Sequence, residues 1–234
     1  MIRLAVLNAA TSPNRLGNAI TDWAIACLGA NRAFVIDRID LRDVGLPLFD
    51  EPDLPRYGRY QHEHTQRWSE RIAAADAFVI VSPEYNRGYS ALLKNALDYL
   101  VHEWAFKPVG IVSYGSGMSG GLRGAEALRT VLGALQMYAV REMVVVPYVT
   151  ESSVRDGSLR ASEGMVEGIE LMMDALVRMD AAMHLLRAPD EELGDQQGRQ
   201  DGPDDAASRW RPRESDTEDQ WAATTDLQRP PGFV

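Results

Sequence analysis

Three short stretches of the 234-residue chain carry residue types that hold ligands, and each directly follows an apolar run of strand length. Residues 82–86 read Ser-Pro-Glu-Tyr-Asn. Pro83 fixes its own φ and keeps Ser82 extended, Tyr85 offers an aromatic face, Asn86 an amide, and Glu84 an acceptor. Residues 8–18 read NAATSPNRLGN, with hydroxyls at Thr11 and Ser12, a cation at Arg15, and Gly17 and Asn18 leading into a helical pattern. This is the composition of an anion site: a helix N-terminus presents unpaired N–H groups and partial positive charge, and hydroxyls and a guanidinium complete the coordination. Residues 113–121 read SYGSGMSGG, in which Gly115, Gly117, Gly120 and Gly121 free the backbone to approach a flat ligand and donate to its carbonyl or ring nitrogen. Each stretch also has a plainer use. Ser12 or Asn18 caps a helix beside a solvated Arg15, Ser90 caps the helix after an ordinary turn, and the glycine run is a flexible loop.

The elements that position these stretches follow from periodicity. Apolar, β-branched runs at Ile2–Asn8, Arg32–Asp37, Ala77–Ser82, Pro108–Ser113 and Met143–Tyr148 are of strand length and lack polar alternation, as strands buried on both faces do. Helical spacing separates them, for example at Leu93, Ala96, Leu97, Leu100 and Val101, and at Ala125, Leu128, Leu132 and Leu135. Strand and helix in alternation predict a parallel sheet, and right-handed crossovers with helices on both faces predict the doubly wound, five-stranded order 2-1-3-4-5. All strand carboxyl ends then lie on one edge, so the loops after strands one, three and four converge there. A last helix, with Met165, Ile169, Met172, Leu176, Met179 and Met183 on one stripe, is expected to pack as core.

Composition narrows the function further. The net charge is −10, but residues 188–234 account for −7, so residues 1–187 form an expected domain of only −3 and the remainder an acidic tail. The tail is rich in Asp, Glu, Gln, Gly and Pro, with scattered Trp210 and Trp221, and is expected to be disordered. No basic stripe suggests nucleic-acid binding, no run is long enough to cross a membrane, and the single Cys27 makes neither a disulfide nor a thiolate cluster. His62 and His64 do not share a helix face, so no metal site is expected. These features fit a cytoplasmic location. The spacing of the first loop matches neither the dinucleotide fingerprint nor the P-loop.

The stretch SPEYN at 82–86, followed by LLKNALDYL at 92–100, closely resembles the signature of the NAD(P)H-dependent FMN reductases, a flavodoxin-like group that includes quinone, azo-dye and chromate reductases. The resemblance covers about residues 1–185. It implies bound FMN, with NADPH or NADH as co-substrate, a small-molecule electron acceptor such as a flavin or quinone, and a homodimer or homotetramer. Carried over by position, Thr11, Arg15, Gly17 and Asn18 surround the phosphate, Pro83, Glu84, Tyr85 and Asn86 line the ribityl chain and ring, and Ser113, Tyr114, Gly115 and Ser116 flank the ring from the other side. The chemistry is carried by the cofactor, so no catalytic side chain is expected. One departure stands out: where the family opens its first loop with Gly-Ser, this chain has Asn8, Ala9 and Ala10. A flavodoxin-type electron carrier without NAD(P)H turnover is the alternative, disfavoured because the SPEYN turn resembles the reductases.

Overall fold

The computed structural model describes residues 1–12, 16–150, 154–155 and 157–187; Arg15 and the acidic tail lie outside the described residues. The elements run β1 (Ile2–Asn8), α1 (Leu16–Gly29), β2 (Phe34–Asp40), α2 (Leu41–Val44), α3 (Glu63–Ala73), β3 (Ala77–Pro83), α4 (Ala91–Asp98), β4 (Pro108–Tyr114), α5 (Leu122–Ala134), β5 (Tyr138–Val146), the short β6 (Val154–Arg155) and β7 (Ser158–Leu159), and α6 (Glu163–Arg187). Strands β1 to β5 form one parallel sheet in the expected order 2-1-3-4-5.

Every residue of β3 and β4 is buried, which explains their unbroken apolar runs. Successive side chains feed opposite layers. Leu4 and Val6 of β1 join Ile20, Leu28, Ile169 and Met172 from α1 and α6. Ala5 and Leu7 join Trp68, Leu93, Leu97 and Leu128 from α3, α4 and α5. Helices therefore cover both faces and leave the two strand edges as the places where loops gather.

Two strands depart from the sequence expectation. β2 starts at Phe34, not Arg32, because Asn31 makes a turn in which its side chain accepts from Ala33 N at 2.9 Å and its carbonyl from Phe34 N at 3.3 Å; the strand then continues to Asp40, opposite Asn8. β5 starts at Tyr138, five residues before the expected Met143. Its first half is an edge with an exposed Tyr138 and Arg141, and a register shift sets Val109 against Ala139 but Ile111 against Met143. The bulge admits polar residues and hides the strand from an apolar pattern.

The methionine stripe of α6 packs as expected at Met165, Ile169, Met172 and Leu176, whereas Met183 is only half-buried and Leu185 and Leu186 are exposed. The last turn is held by Arg187, which donates to the carbonyls of Asp76 at 3.2 Å and Phe106 at 3.0 Å and pairs with Asp180 at 2.6 Å. On the same edge, buried Lys107 donates to the carbonyls of Ile72 and Ala73 at the end of α3, at 2.9 and 3.1 Å.

The segment between α2 and α3 is pinned onto α4. Asn95 donates to Pro47 O at 2.6 Å and accepts from Phe49 N at 3.0 Å, and Tyr99 Oη donates to Asp50 at 2.9 Å. His62 and His64 stack at 5.2 Å, because His62 sits in extended backbone before the helix while His64 lies in its first turn. Among the described residues no three His, Cys, Asp or Glu are grouped to hold a metal, and no helix is long and apolar enough to cross a membrane. Trp104 belongs to the core, Glu103 accepts from Tyr60 and Ser69 at 3.1 and 2.6 Å, and Cys27 is half-buried, its thiol pushed up by burial.

Candidate functional site

The loops after β1, β3 and β4 meet at the carboxyl edge, and specific contacts join them. Thr11 Oγ1 donates to Tyr85 Oη at 3.2 Å, linking the first loop to the second. Glu84 N donates to Tyr114 O at 3.1 Å, linking the second to the end of β4. A Cβ on Gly17 would stand 2.5 Å from Tyr114 Oη and 2.6 Å from Ala10 Cβ, so only glycine lets the start of α1 approach Tyr114 this closely. Burial, with Tyr85 beside it, holds the Tyr114 phenol well above the ordinary tyrosine range, so it stands as a neutral hydroxyl against the first loop.

The first loop is shaped from beneath by Asn8, which is fully buried. Its amide donates to Asn18 Oδ1 at 2.7 Å and lies 3.3 Å from Asp40, while its carbonyl oxygen accepts from Ala10 N at 3.1 Å. Asn18 is therefore a brace within α1 and not its cap. The buried Ala9 and Ala10 let the backbone lie flat on the sheet edge. Thr11 and Ser12 are exposed on that platform.

The second loop closes as a tight hairpin. Tyr85 and Gly88 exchange both backbone hydrogen bonds, at 2.8 and 2.9 Å, around Asn86 (φ 50°) and Arg87 (φ 69°). Positive φ at both central residues defines a type I′ turn, a conformation Asn tolerates well and Arg adopts rarely. Tyr85, Asn86 and Arg87 are exposed. Pro83 is buried at the strand end, and Ser90 caps α4 by accepting from Leu93 N at 3.2 Å.

Glu84 has a different task from its neighbours. Its carboxylate accepts from Arg123 N at 3.1 Å and Gly124 N at 3.3 Å, and pairs with the Arg123 guanidinium at 3.1 Å. It caps the N-terminus of α5 from a distant loop, neutralising that end of the helix. The residue at the helix start, Gly121 (φ 85°), offers no side chain for the purpose, and a Cβ there would meet the Tyr114 backbone at 2.7 Å. Gly124 permits the close seat, since a Cβ on it would lie 2.9 Å from Gly88 O.

The glycine-rich loop is more ordered than its composition suggests. Ser113 Oγ donates to Gly120 O at 2.9 Å, so the Ser113 hydroxyl faces inward. Gly115 N donates to Val146 O at 3.2 Å, and Val149 N and Tyr148 N donate back to Gly115 O and Gly117 O at 3.0 and 3.2 Å. The solvent-facing part is the Ser116–Met118 crest, exposed throughout.

The structure thus gathers Thr11, Gly17, Asn18, Pro83, Glu84, Tyr85, Asn86, Ser113, Tyr114, Gly115 and Ser116 at one edge. Within that set, Glu84, Asn18 and Ser113 use their side chains on protein groups. The sequence reading gave no role to Arg123, Gly124 or Tyr148, and none carries a local pattern: each matters through a partner distant in sequence.

The exposed polar groups at this edge include the Tyr85 hydroxyl, which accepts from Thr11 and keeps its own proton to donate. Charge divides the helix starts. α3 opens with Glu63, α4 with the Ser90 cap, α5 with Glu84, and α6 with Glu163 and Ser162, whereas α1 has no acidic residue in its first turn. Within its described residues, α1 is a helix start at this edge with no acidic residue in its first turn.

A family model described as NADPH-dependent FMN reductase matches residues 2–151. Among curated proteins, an NAD(P)H-dependent FMN reductase of Schizosaccharomyces pombe is 43% identical over 137 residues, covering 58% of this chain and 68% of that one. Another NAD(P)H-dependent FMN reductase, from Nectria sp, is 30% identical over 202 residues, covering 82% of this chain and 100% of the relative. Among solved structures, the flavoenzyme NAD(P)H:(acceptor) oxidoreductase of Paracoccus denitrificans superposes with a TM-score of 0.64 at 19% identity, over 78% of this chain and 99% of that one, and shares the fold. With its sheet order, its SPEYN turn and most of its domain matched, the chain belongs to the NADPH-dependent FMN reductase family.

Proposed function

We propose that FMN sits across the three loops at the carboxyl edge with its phosphate on the N-terminus of α1. Family membership makes the chain an NAD(P)H-dependent oxidoreductase of the FMN reductase and quinone reductase type, with FMN as its cofactor. The observation that supports the placement is the charge pattern: α3 and α6 open with an acid, α4 with the Ser90 cap and α5 with the borrowed Glu84, whereas the described first turn of α1 has no acid, so an anion is best accommodated there.

The residues present fit FMN. Thr11 Oγ1 and the N–H groups of Gly17 and Asn18 supply donors to a phosphate, and Arg15, within the same loop, would add charge. The bare Gly17 lets the start of α1 close directly on the neutral Tyr114 hydroxyl. Tyr85, Asn86 and the backbone of Glu84 form one wall for the ring and ribityl chain, and Gly115 and Ser116 the other. Glu84 keeps its carboxylate out of the cleft by capping α5, so no repelling charge from it faces the anionic cofactor.

Held there, FMN would supply the hydride and electron transfer between NAD(P)H and the acceptor. The protein's part is to bind, orient and exclude water. The exposed Ser116–Met118 backbone, on a loop fixed by its ties to β5, is suited to face a ring carbonyl on which negative charge develops. The acceptor is a flavin, quinone or similar small aromatic molecule. We place the enzyme in the cytoplasm as a homodimer or homotetramer, its mass measurable by light scattering.

The test is direct. Purified chain loaded with FMN should oxidise NADPH or NADH continuously with a quinone or free flavin as acceptor. A chain that FMN does not titrate contradicts the reading, and flavin bound without NAD(P)H turnover would favour an electron carrier.

A further inference from the structure

Five non-glycine residues among those described have positive φ: Asn86, Arg87, Phe106, Gln136 and Tyr148. Four have local reasons. Asn86 and Arg87 make the type I′ turn, Gln136 follows the end of α5 as helix-terminating residues often do, and Phe106, in the loop before β4, is tied to that helix end by donating its N–H to Gln136 O at 3.0 Å. Tyr148 has neither reason. It is a bulky aromatic at φ 54°, just beyond β5, where glycine would adopt the same geometry without steric penalty.

Its backbone is held to the glycine-rich loop. Val146 and Val149 on either side are buried, and Tyr148 N and Val149 N donate to Gly117 O and Gly115 O. The exit of β5 and the glycine-rich loop are thereby one hydrogen-bonded unit. The side chain is the opposite: Tyr148 is 59% exposed, and among the described residues no hydrogen bond or ring contact holds its phenol. A positive φ held by a fixed backbone to display an exposed aromatic side chain points to a ligand contact. Met118 and Leu122, at 79% and 42% exposure, and Tyr85 on the opposite wall add apolar surface to the same edge.

We propose that Tyr148 is a specificity-determining residue for the electron acceptor, its ring forming the β5-side wall against which a flat aromatic acceptor packs. The inference rests on the flavin reading above and adds to it a residue the sequence did not single out. Tyr148 does not hold the cofactor, and its removal leaves the three FMN-contacting loops in place.

The experiment uses the full chain as wild type, Tyr148→Gly and Tyr148→Phe. Three quantities are read: FMN affinity by fluorescence titration, melting temperature, and steady-state parameters with a bicyclic naphthoquinone under saturating NAD(P)H. Tyr148→Gly should bind FMN within about twofold of wild type and melt no lower, since the conformation suits glycine. Its KM for naphthoquinone should rise about three- to tenfold, the effect of one lost aromatic contact, with kcat little changed. Tyr148→Phe should keep the wild-type KM. An unchanged KM in Tyr148→Gly with normal FMN binding overturns the proposal while leaving the flavin reading intact, and loss of FMN in that variant overturns it by making Tyr148 a cofactor residue. Failure of the wild type to bind FMN is a failure of the underlying reading.

Discussion

The carboxyl edge of the sheet and its amino edge are ends of the same strands, yet they treat polar groups in opposite ways. At the amino edge, cations are buried against carbonyls: Lys107 closes the end of α3, and Arg187 ties α6 to the entries of β3 and β4. At the carboxyl edge, carboxylates and hydroxyls close α4, α5 and α6, but the described first turn of α1 has no acid, and the exposed Tyr85 hydroxyl, accepting from Thr11, keeps its proton to donate. Both follow from helices running antiparallel to the strands, which puts helix C-termini at one edge and N-termini at the other. The difference is that one edge buries its cations against carbonyls, while the other exposes hydroxyls beside a helix start that carries no acid.

The largest expected effect breaks the open edge. Gly17→Val would drive side-chain atoms into Tyr114 Oη and Ala10 Cβ, already 2.5 and 2.6 Å from a simple Cβ. The start of α1 must move, stability measured by urea unfolding should fall by about 3 kcal/mol, the upper end for overpacking, and FMN affinity measured by fluorescence titration should fall with it.

The next effect sharpens the closed edge. Burial, aided by Arg187, pulls the Lys107 ammonium down to about 8, below its value in the unfolded chain. Between these two values the unfolded chain binds more protons than the folded one, so the wild type gains stability as pH rises through that window. Measured by urea unfolding at pH 7 and pH 10, wild type should gain about 2.5 kcal/mol relative to Lys107→Met, which has no proton to lose. FMN affinity at constant pH should be the same in both, because the two edges are independent.

Glu84→Ala probes where the edges share a device, a charged side chain closing a helix end. It removes the acceptor of two α5 N–H groups and of Arg123, and should lower stability by about 2 kcal/mol. Glu84→Gln, which can still accept, should recover about half of that loss. Equal effects of Ala and Gln would mean that charge, not hydrogen bonding, makes the cap.

The sheet order was legible because its strands are buried on both faces and its helices keep their spacing. β5 was legible only from Met143 onward, since its bulged half carries Tyr138 and Arg141 on an open edge. The SPEYN turn marked the site, yet it did not distinguish Tyr85 and Asn86, which are exposed, from Glu84, whose partners lie 39 and 40 residues away. Tyr148 was invisible for the same reason: its conformation is set by Gly115 and Gly117 across the loop, and no local pattern encodes that contact.

The central claim, that the open helix end at α1 is a phosphate site within an FMN cleft, is tested most directly by titrating the full chain with FMN and with riboflavin, which differ only by the phosphate. The account predicts that FMN binds tighter by about 1.5–3 kcal/mol, roughly ten- to more than a hundredfold. Equal affinities for the two flavins would contradict it.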